Sequence, residues 1–165
     1  MATWTDFEAE APETEAVFRR RLDKTGMALL ATLRRDGFPR ISPLEPGLRD
    51  GELWLGMMGG STKSLDLQRD PRCCLHSATE DKNVADGDVK LWGSAVRVTD
   101  AAVLKDFARV AQEESGLDVE TQPSGFDLFR LDLRGGSAVQ LGADGQHLRI
   151  TAWAPGAPER VIERR

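Results

Sequence analysis

Tyrosine is missing from this chain altogether, and its 165 residues hold only two histidines and two cysteines. A phenolic proton donor is therefore excluded, and a metal centre built from several imidazoles is not expected. Cys73 and Cys74 are adjacent, too close for an ordinary structural disulfide and without the second pair that a zinc site needs. Both read as reduced thiols, more readily small core residues of a strand than nucleophiles. Cys74 and His76 share a face of that strand, but two ligands are too few for a dedicated site and His147 lies beside a turn, so no metal is expected.

Positive charge is in deficit too. With 22 basic and 27 acidic residues the net charge is −5, which argues against nucleic acid or an anionic membrane surface as a partner. No apolar run approaches bilayer length, and the opening MATWTDFEAEAPETEAVF is acidic where a secretory leader would be basic and then apolar. A cytoplasmic protein is the expectation. No Ser-His-Asp order, paired acid motif or dinucleotide fingerprint occurs, so no catalytic residue can be named. Such a chain suits chemistry carried by a cofactor, with the polypeptide orienting it and excluding water.

What the sequence does have is turn punctuation. Asp36-Gly37, Asp50-Gly51 and Asp144-Gly145 each sit between strand-like runs, and Asp-Gly tolerates the positive φ that tight hairpins demand. The first two predict a three-strand antiparallel meander through MALLATLRR, FPRISPLEP and GELWLGMM. RCCLHSATE, DVKLWGSAVRV, FDLFRLDLR and SAVQLG read as further strands, and QHLRITAW closes the last hairpin. Helices are predicted from Pro12 to Lys24, with Arg19, Arg20 and Arg21 as a solvated face, and over 100–115, with Asp100 as N-cap and Gly116 just past the end. LDVETQPSG reads as a loop, and the acids Glu80, Asp81, Asp86 and Asp88 as a solvated one. Many strands with few helices predict a closed or split antiparallel barrel with helices at its rim. No repeat or composition shift divides the chain, so one domain is expected over 1–165.

The stretch GGSTKSLDLQRDPR, residues 59–72, carries the most chemistry. With Ser61 as N-cap, Thr62, Lys63 and Ser64 fill a first helical turn, and Pro71 stops the helix at Asp70. A lysine at a helix N-terminus opposes the dipole. A bound phosphate would resolve that conflict, accepting the free N–H groups and the Ser61 and Thr62 hydroxyls while neutralising Lys63. An ordinary helix start with its lysine turned to water is the plain alternative. The spacing is not that of a Walker A loop. A helix terminus contributes only about 0.3–2 kcal/mol, so a phosphorylated ligand must also bury a large apolar part elsewhere.

In their order, LATLRRDGFPRISPLEP, GELWLGMMGGSTKSLDLQRDPRCCLHSA, VKLWGSAVRV and LRITAWAPG resemble the pyridoxamine 5'-phosphate oxidase-like superfamily, in its flavin and deazaflavin oxidoreductase branch. The resemblance covers about residues 26–156. It implies a mainly β fold, a six-to-eight-stranded antiparallel split β-barrel of the FMN-binding type with flanking helices. The domain then divides into an N-terminal helical segment (1–25), the barrel (26–156) and a tail (157–165). It implies FMN or coenzyme F-420 as cofactor, its phosphate held by Ser61, Thr62 and Lys63. Arg40, Ser42 and Pro43 would face the ring, and Met57 and Met58 would give it an apolar floor. A homodimer with cofactor sites at the subunit interface and a small-molecule substrate is also implied. Trp92 and Trp153 are candidates for contacts across that cleft, with core or interface packing the commoner role of such a residue; Trp54 reads as structural. The function expected is hydride transfer between the cofactor and a small conjugated substrate, and the alternative is a non-catalytic flavin-binding or sensing protein of the same fold.

Overall fold

A computed structural model of the chain describes residues 2–79, 84, 86–116 and 124–165. Two helices come first, α1 (Trp4–Glu10) and α2 (Pro12–Thr25), followed by β1 (Ala28–Leu33), β2 (Pro39–Leu44), β3 (Pro46–Arg49) and β4 (Glu52–Met58). Then come α3 (Thr62–Arg69), β5 (Arg72–Ser77), β6 (Asp88–Arg97), α4 (Ala101–Ser115), β7 (Phe126–Leu141), β8 (Leu148–Trp153) and β9 (Arg160–Arg164).

All three Asp-Gly turns close hairpins, joining β1 to β2, β3 to β4 and β7 to β8. The expected meander is nevertheless not formed. FPRISPLEP is broken at Glu45, so that its first half pairs with β1 and the following residues pair with β4. Pro43 and Pro46 flank the break, and prolines cannot donate to a central ladder. The hydrogen-bonded order is β2-β1-β5-β6-β7-β4-β3, with β8 and β9 branching from β7. Its two ends, β2 and β3, meet only through the chain at Glu45, and the sheet is not closed. This is the expected mainly β split-barrel architecture, with nine strands where six to eight were anticipated.

Two expected strands, FDLFRLDLR and SAVQLG, are one. β7 runs unbroken for 16 residues, pairing with β6 from Phe129 to Val139, with β4 along its first part and with β8 along its last. It accommodates both partners by a bulge at Arg134, where the register shifts between Trp92 and Gly93. Glycine is required there: a Cβ on Gly93 would strike the Asp132 carbonyl, and one on Gly135 would enter the Trp92 ring.

The inner faces of β1, β4, β5, β6 and β7 bury Leu30, Leu53, Leu55, Leu75, Leu91, Phe129, Leu131 and Leu133. α1, a helix that the sequence pattern did not announce, caps this core. Thr3 and Asp6 form a reciprocal capping box at its start, and Trp4 and Phe7 are buried against Phe18 and Trp153, with ring centroids 5.0–5.4 Å apart. Burial of each such ring contributes about 1.5–3 kcal/mol. Nor is Arg21 on a solvated face. It is 2% exposed and donates to the Ala78 carbonyl and to Asp86, which also pairs with Lys24. Asp86 and Asp88 are thus engaged by α2 and by Thr79, whereas Glu80, Asp81 and most of LDVETQPSG lie outside the described residues. In the segment 157–165, β9 pairs with β8, and Glu159 reaches back to the start of α2.

Candidate functional site

β4 ends at Met58, the chain turns through Gly59 and Gly60, and α3 begins behind Ser61. Ser61 has the extended backbone of an N-cap but its hydroxyl caps nothing; Oγ is buried and without a partner among the described residues. The N–H groups of Thr62, Lys63 and Ser64 likewise find no acceptor among the described residues. An N-terminus of this kind, with donors unspent, suits an anion.

The start of α3 already has one protein anion beside it. The Asp127 carboxylate, at the head of β7, accepts the Gly60 N–H at 3.0 Å and the Ser64 hydroxyl at 2.5 Å through Oδ2. Through Oδ1 it accepts Arg97 at 2.8 Å. Burial alone would push its carboxyl up, but these bonds from Ser64, Gly60 and Arg97 outweigh it and hold the group below the ordinary carboxylate value. Asp127 therefore takes donors on either side of the Ser61–Lys63 segment and leaves those within it. The sequence carried a sign of this: Asp127 heads the alternating row Phe129, Leu131 and Leu133 in β7, where an acid has no place unless it is paired.

Lys63 turns to β2. Its Nζ donates to the Pro43 carbonyl at 2.8 Å, and burial lowers its pKa from the usual lysine value. It also reaches the wall of an open cavity of about 650 Å3 bordered by β2 to β4, α4 and the start of β7. The cavity is mostly apolar, with Trp54, Met57, Met58, Phe107, Val110 and Phe126 in its wall, and its titratable residues among those described are Glu45, Arg49 and Lys63. Phe107 stacks with Phe126 at 6.0 Å and packs so closely on β4 that a Cβ at Gly56 would meet it at 3.1 Å. α4, capped by Asp100 and ended by Gly116 as expected, thus uses its apolar stripe as one wall of this cavity.

Of the residues singled out from sequence, Pro43, Met57, Met58 and Lys63 come together here, with Ser61 and Thr62 at the adjoining helix start. Arg40 does not join them; its guanidinium pairs with buried Asp66 at 2.7 Å. Ser42 is half-buried in β2 and outside the cavity wall. Trp92 stands on the outer face of β6 against Gly135. Trp153 is 3% exposed, in contact with Phe7 and donating to Glu10 at 2.9 Å, so it has no surface to offer a partner and packs in the core. Cys73 is also core, its thiol pushed up to about 12 by burial and by neighbouring Cys74, which leaves it without nucleophilic character. Trp54, Phe107 and Phe126 were missed as site residues, because a cavity-lining aromatic stripe has the same spacing as a core-packing one.

Residues 14–140 match the family described as pyridoxamine 5'-phosphate oxidase, whose members are commonly dimeric. None of the curated proteins matches the chain. Among solved structures, a conserved hypothetical protein of Mycobacterium tuberculosis aligns with a TM-score of 0.60 at 24% identity, over 75% of this chain and 81% of that one. PhzG of Burkholderia lata, solved with tetrahydrophenazine-1-carboxylic acid, aligns over 100% of this chain and 97% of its own, with a TM-score of 0.62 and 13% identity. A heme binding protein of Mycobacterium smegmatis aligns over 92% of this chain and 58% of its own, at 19% identity and a TM-score of 0.56. At these identities the likeness is one of fold.

Proposed function

The chain belongs to the pyridoxamine 5'-phosphate oxidase family, and on that premise we propose that it is an oxidoreductase using FMN or coenzyme F-420 to exchange hydride with a small conjugated substrate. One observation carries this reading: Lys63 belongs both to the open first turn of α3 and to the wall of the apolar cavity. A ligand with a flat ring and a phosphate would satisfy both at once. Its ring would lie against Met57, Met58, Trp54 and Phe107, and its phosphate would accept from the N–H groups of Thr62, Lys63 and Ser64, the Ser61 hydroxyl and the Lys63 ammonium. Neither histidine lines the cavity, which favours such a ring over a heme needing an axial imidazole.

The bound ring would supply the hydride chemistry. This chain's own residues would anchor it, exclude water through the thioether and aromatic walls, and leave the opposite ring face to substrate. A homodimer is part of the proposal. Ile41, Ala31, Cys74 and Trp92 stand in register across β2, β1, β5 and β6, and Ile41 and Trp92 on that outer face are 69% and 40% exposed. A second protomer would cover them and set its own segments at the cavity mouth.

The second reading, a non-catalytic flavin-binding or sensing protein, is favoured by how few titratable side chains line the cavity among the described residues, namely Glu45, Arg49 and Lys63. Equilibrium dialysis against FMN and F-420 tests both readings, since binding of neither removes them. Stopped-flow reoxidation of the reduced complex against quinones and enones then separates them. An acceptor faster than with free cofactor supports the enzyme; none faster supports the binder.

A further inference from the structure

α4 is held to the sheet differently from the other helices. α1 buries Trp4 and Phe7, α2 Val17 and Phe18, and α3 Leu67, all in the core cluster. No described residue of α4 joins that cluster. Its Ala108 is buried, but the rest of its apolar stripe, Val103, Leu104, Phe107, Val110 and Ala111, is half-buried. Phe107, Val110 and Ala111 turn that surface to the cavity. Across from them, Phe107 stacks on Phe126 at 6.0 Å and packs on β4 at Gly56. Beside it, Arg49 at the end of β3 donates to Asp106 at 2.7 Å, in an ion pair whose side chains are 27% and 49% exposed. Arg49 also pairs with Asp50 at 2.9 Å, and Asp106 with Arg109, one turn further along α4, at 2.8 Å. Each therefore keeps a counter-charge when the two part, so separating them strands no ion.

We propose that α4 is a hinged wall of the cavity, latched by Arg49 and Asp106, which swings away from β3 and β4 to admit a flat ligand and closes over it. The hinge lies between Val98, whose N–H is fixed to the Leu128 carbonyl at 2.9 Å, and the Asp100 cap at the start of α4. Motion is needed because Phe107 already touches β4, so a ring cannot enter between them while α4 is seated. It is also cheap. A half-exposed ion pair is worth about fivefold or less in an equilibrium, a stacked aromatic pair about tenfold or less beyond its buried area, and elements outside the core open at far lower cost than the whole fold. That the ligand is a flavin or deazaflavin rests on the cofactor reading; the motion itself does not. Asp106 lies outside the cavity wall and acts as a positioning residue through α4.

The full-length protein is mixed with FMN, and separately with F-420, in a stopped-flow fluorimeter, and each complex is then chased to follow release. Asp106→Asn loosens the latch, so association and dissociation rates should both rise about threefold to fivefold, with Kd within about twofold of the parent. Glu113→Gln removes the same charge from the same helix without touching Arg49 and should change neither rate, which separates the latch from a change in the field felt by an anionic ligand. Unchanged rates in Asp106→Asn, a rise in dissociation alone, or an equal rise in Glu113→Gln overturns the proposal. Spin labels on Asp23→Cys in α2 and Lys105→Cys in α4, with Cys74→Ser, read the motion without a ligand. Asp106→Asn should enlarge a longer-distance population about threefold to fivefold. Identical distance distributions in parent and variant overturn the hinged wall whether or not a cofactor binds. A shifted distribution with no binding of FMN or F-420 overturns the cofactor reading and leaves the hinged wall standing.

Discussion

The starts of α2 and α3 invite comparison, because the protein treats them in opposite ways. α2 begins behind Ala11, which has no side chain to cap with, yet its donors are met from the far end of the chain. Glu159 accepts the Glu13 N–H at 2.7 Å, the Thr14 N–H at 3.0 Å and the Thr14 hydroxyl at 2.5 Å. α3 begins behind Ser61, which could cap and does not. A donor set closed at such sequence distance serves stability, whereas a set left open beside a cavity is available to a ligand. The largest effect should come from breaking the closed one. Glu159→Ala strands the Glu13 and Thr14 N–H donors and leaves the buried Thr14 hydroxyl only Thr151 as a partner, and should lower unfolding free energy by about 2 kcal/mol in a urea titration. Cofactor affinity should be unchanged. A loss of affinity matching the loss of stability would erase the distinction between the two termini.

Lys63→Ala attacks the open terminus. Removing this cation from the cavity wall should weaken binding of a phosphorylated flavin or deazaflavin about tenfold, which is about 1.4 kcal/mol. Stability without ligand should fall by about 0.5–1 kcal/mol, because the bond to the Pro43 carbonyl is lost. Dialysis of the dephosphorylated cofactor sharpens this, since its affinity should not respond to the substitution.

A paired substitution at two N-caps comes next in size. Asp100 accepts the Ala102 and Val103 N–H groups at 2.8 and 3.2 Å, so Asp100→Ala should cost about 1 kcal/mol by chemical denaturation. Ser61→Ala removes a hydroxyl that bonds to nothing among the described residues and should leave stability within about 0.5 kcal/mol of the parent. Equal costs at the two positions would show that Ser61 caps α3 after all.

Legibility in the sequence followed the range of the interactions. Asp-Gly turns, the Asp100 cap and the Gly116 stop act within a few residues, and each was readable. The break at Glu45 was not, because two prolines in a strand pattern do not say that the halves will find different partners. Nor was the role of Glu159, whose bonds to α2 span 145 and 146 residues. In the site, Lys63 was readable because its charge conflicts with its local position. Asp127 was not, because its conflict with a row of apolar residues resolves only when β7 is seen to run beside Gly60 and Ser64. The pairing of Arg40 was not readable for the complementary reason: its counter-charge, Asp66, lies on another element.

Acid should loosen the two termini differently, and this is the smallest effect. Asp66 and Asp127 tie α3 to β1, β2 and β7. Burial would raise each carboxyl, but bonds from Arg40, Thr32 and Arg69 hold Asp66 below its ordinary value, and those from Ser64, Gly60 and Arg97 do the same for Asp127. A carboxyl with a lowered folded pKa contributes stability that is complete above its unfolded value, about 3.9, and disappears as the pH falls through the folded one. The stability difference between parent and Asp127→Asn should therefore be constant from about pH 7 to 5 and shrink below about pH 4. The change should be about 1 kcal/mol or less. Amide exchange locates it, with protection in α3 falling in acid before protection in α2. A difference between parent and variant that stays constant down to about pH 2 would mean that the ionised Asp127 carboxylate contributes nothing beyond its shape.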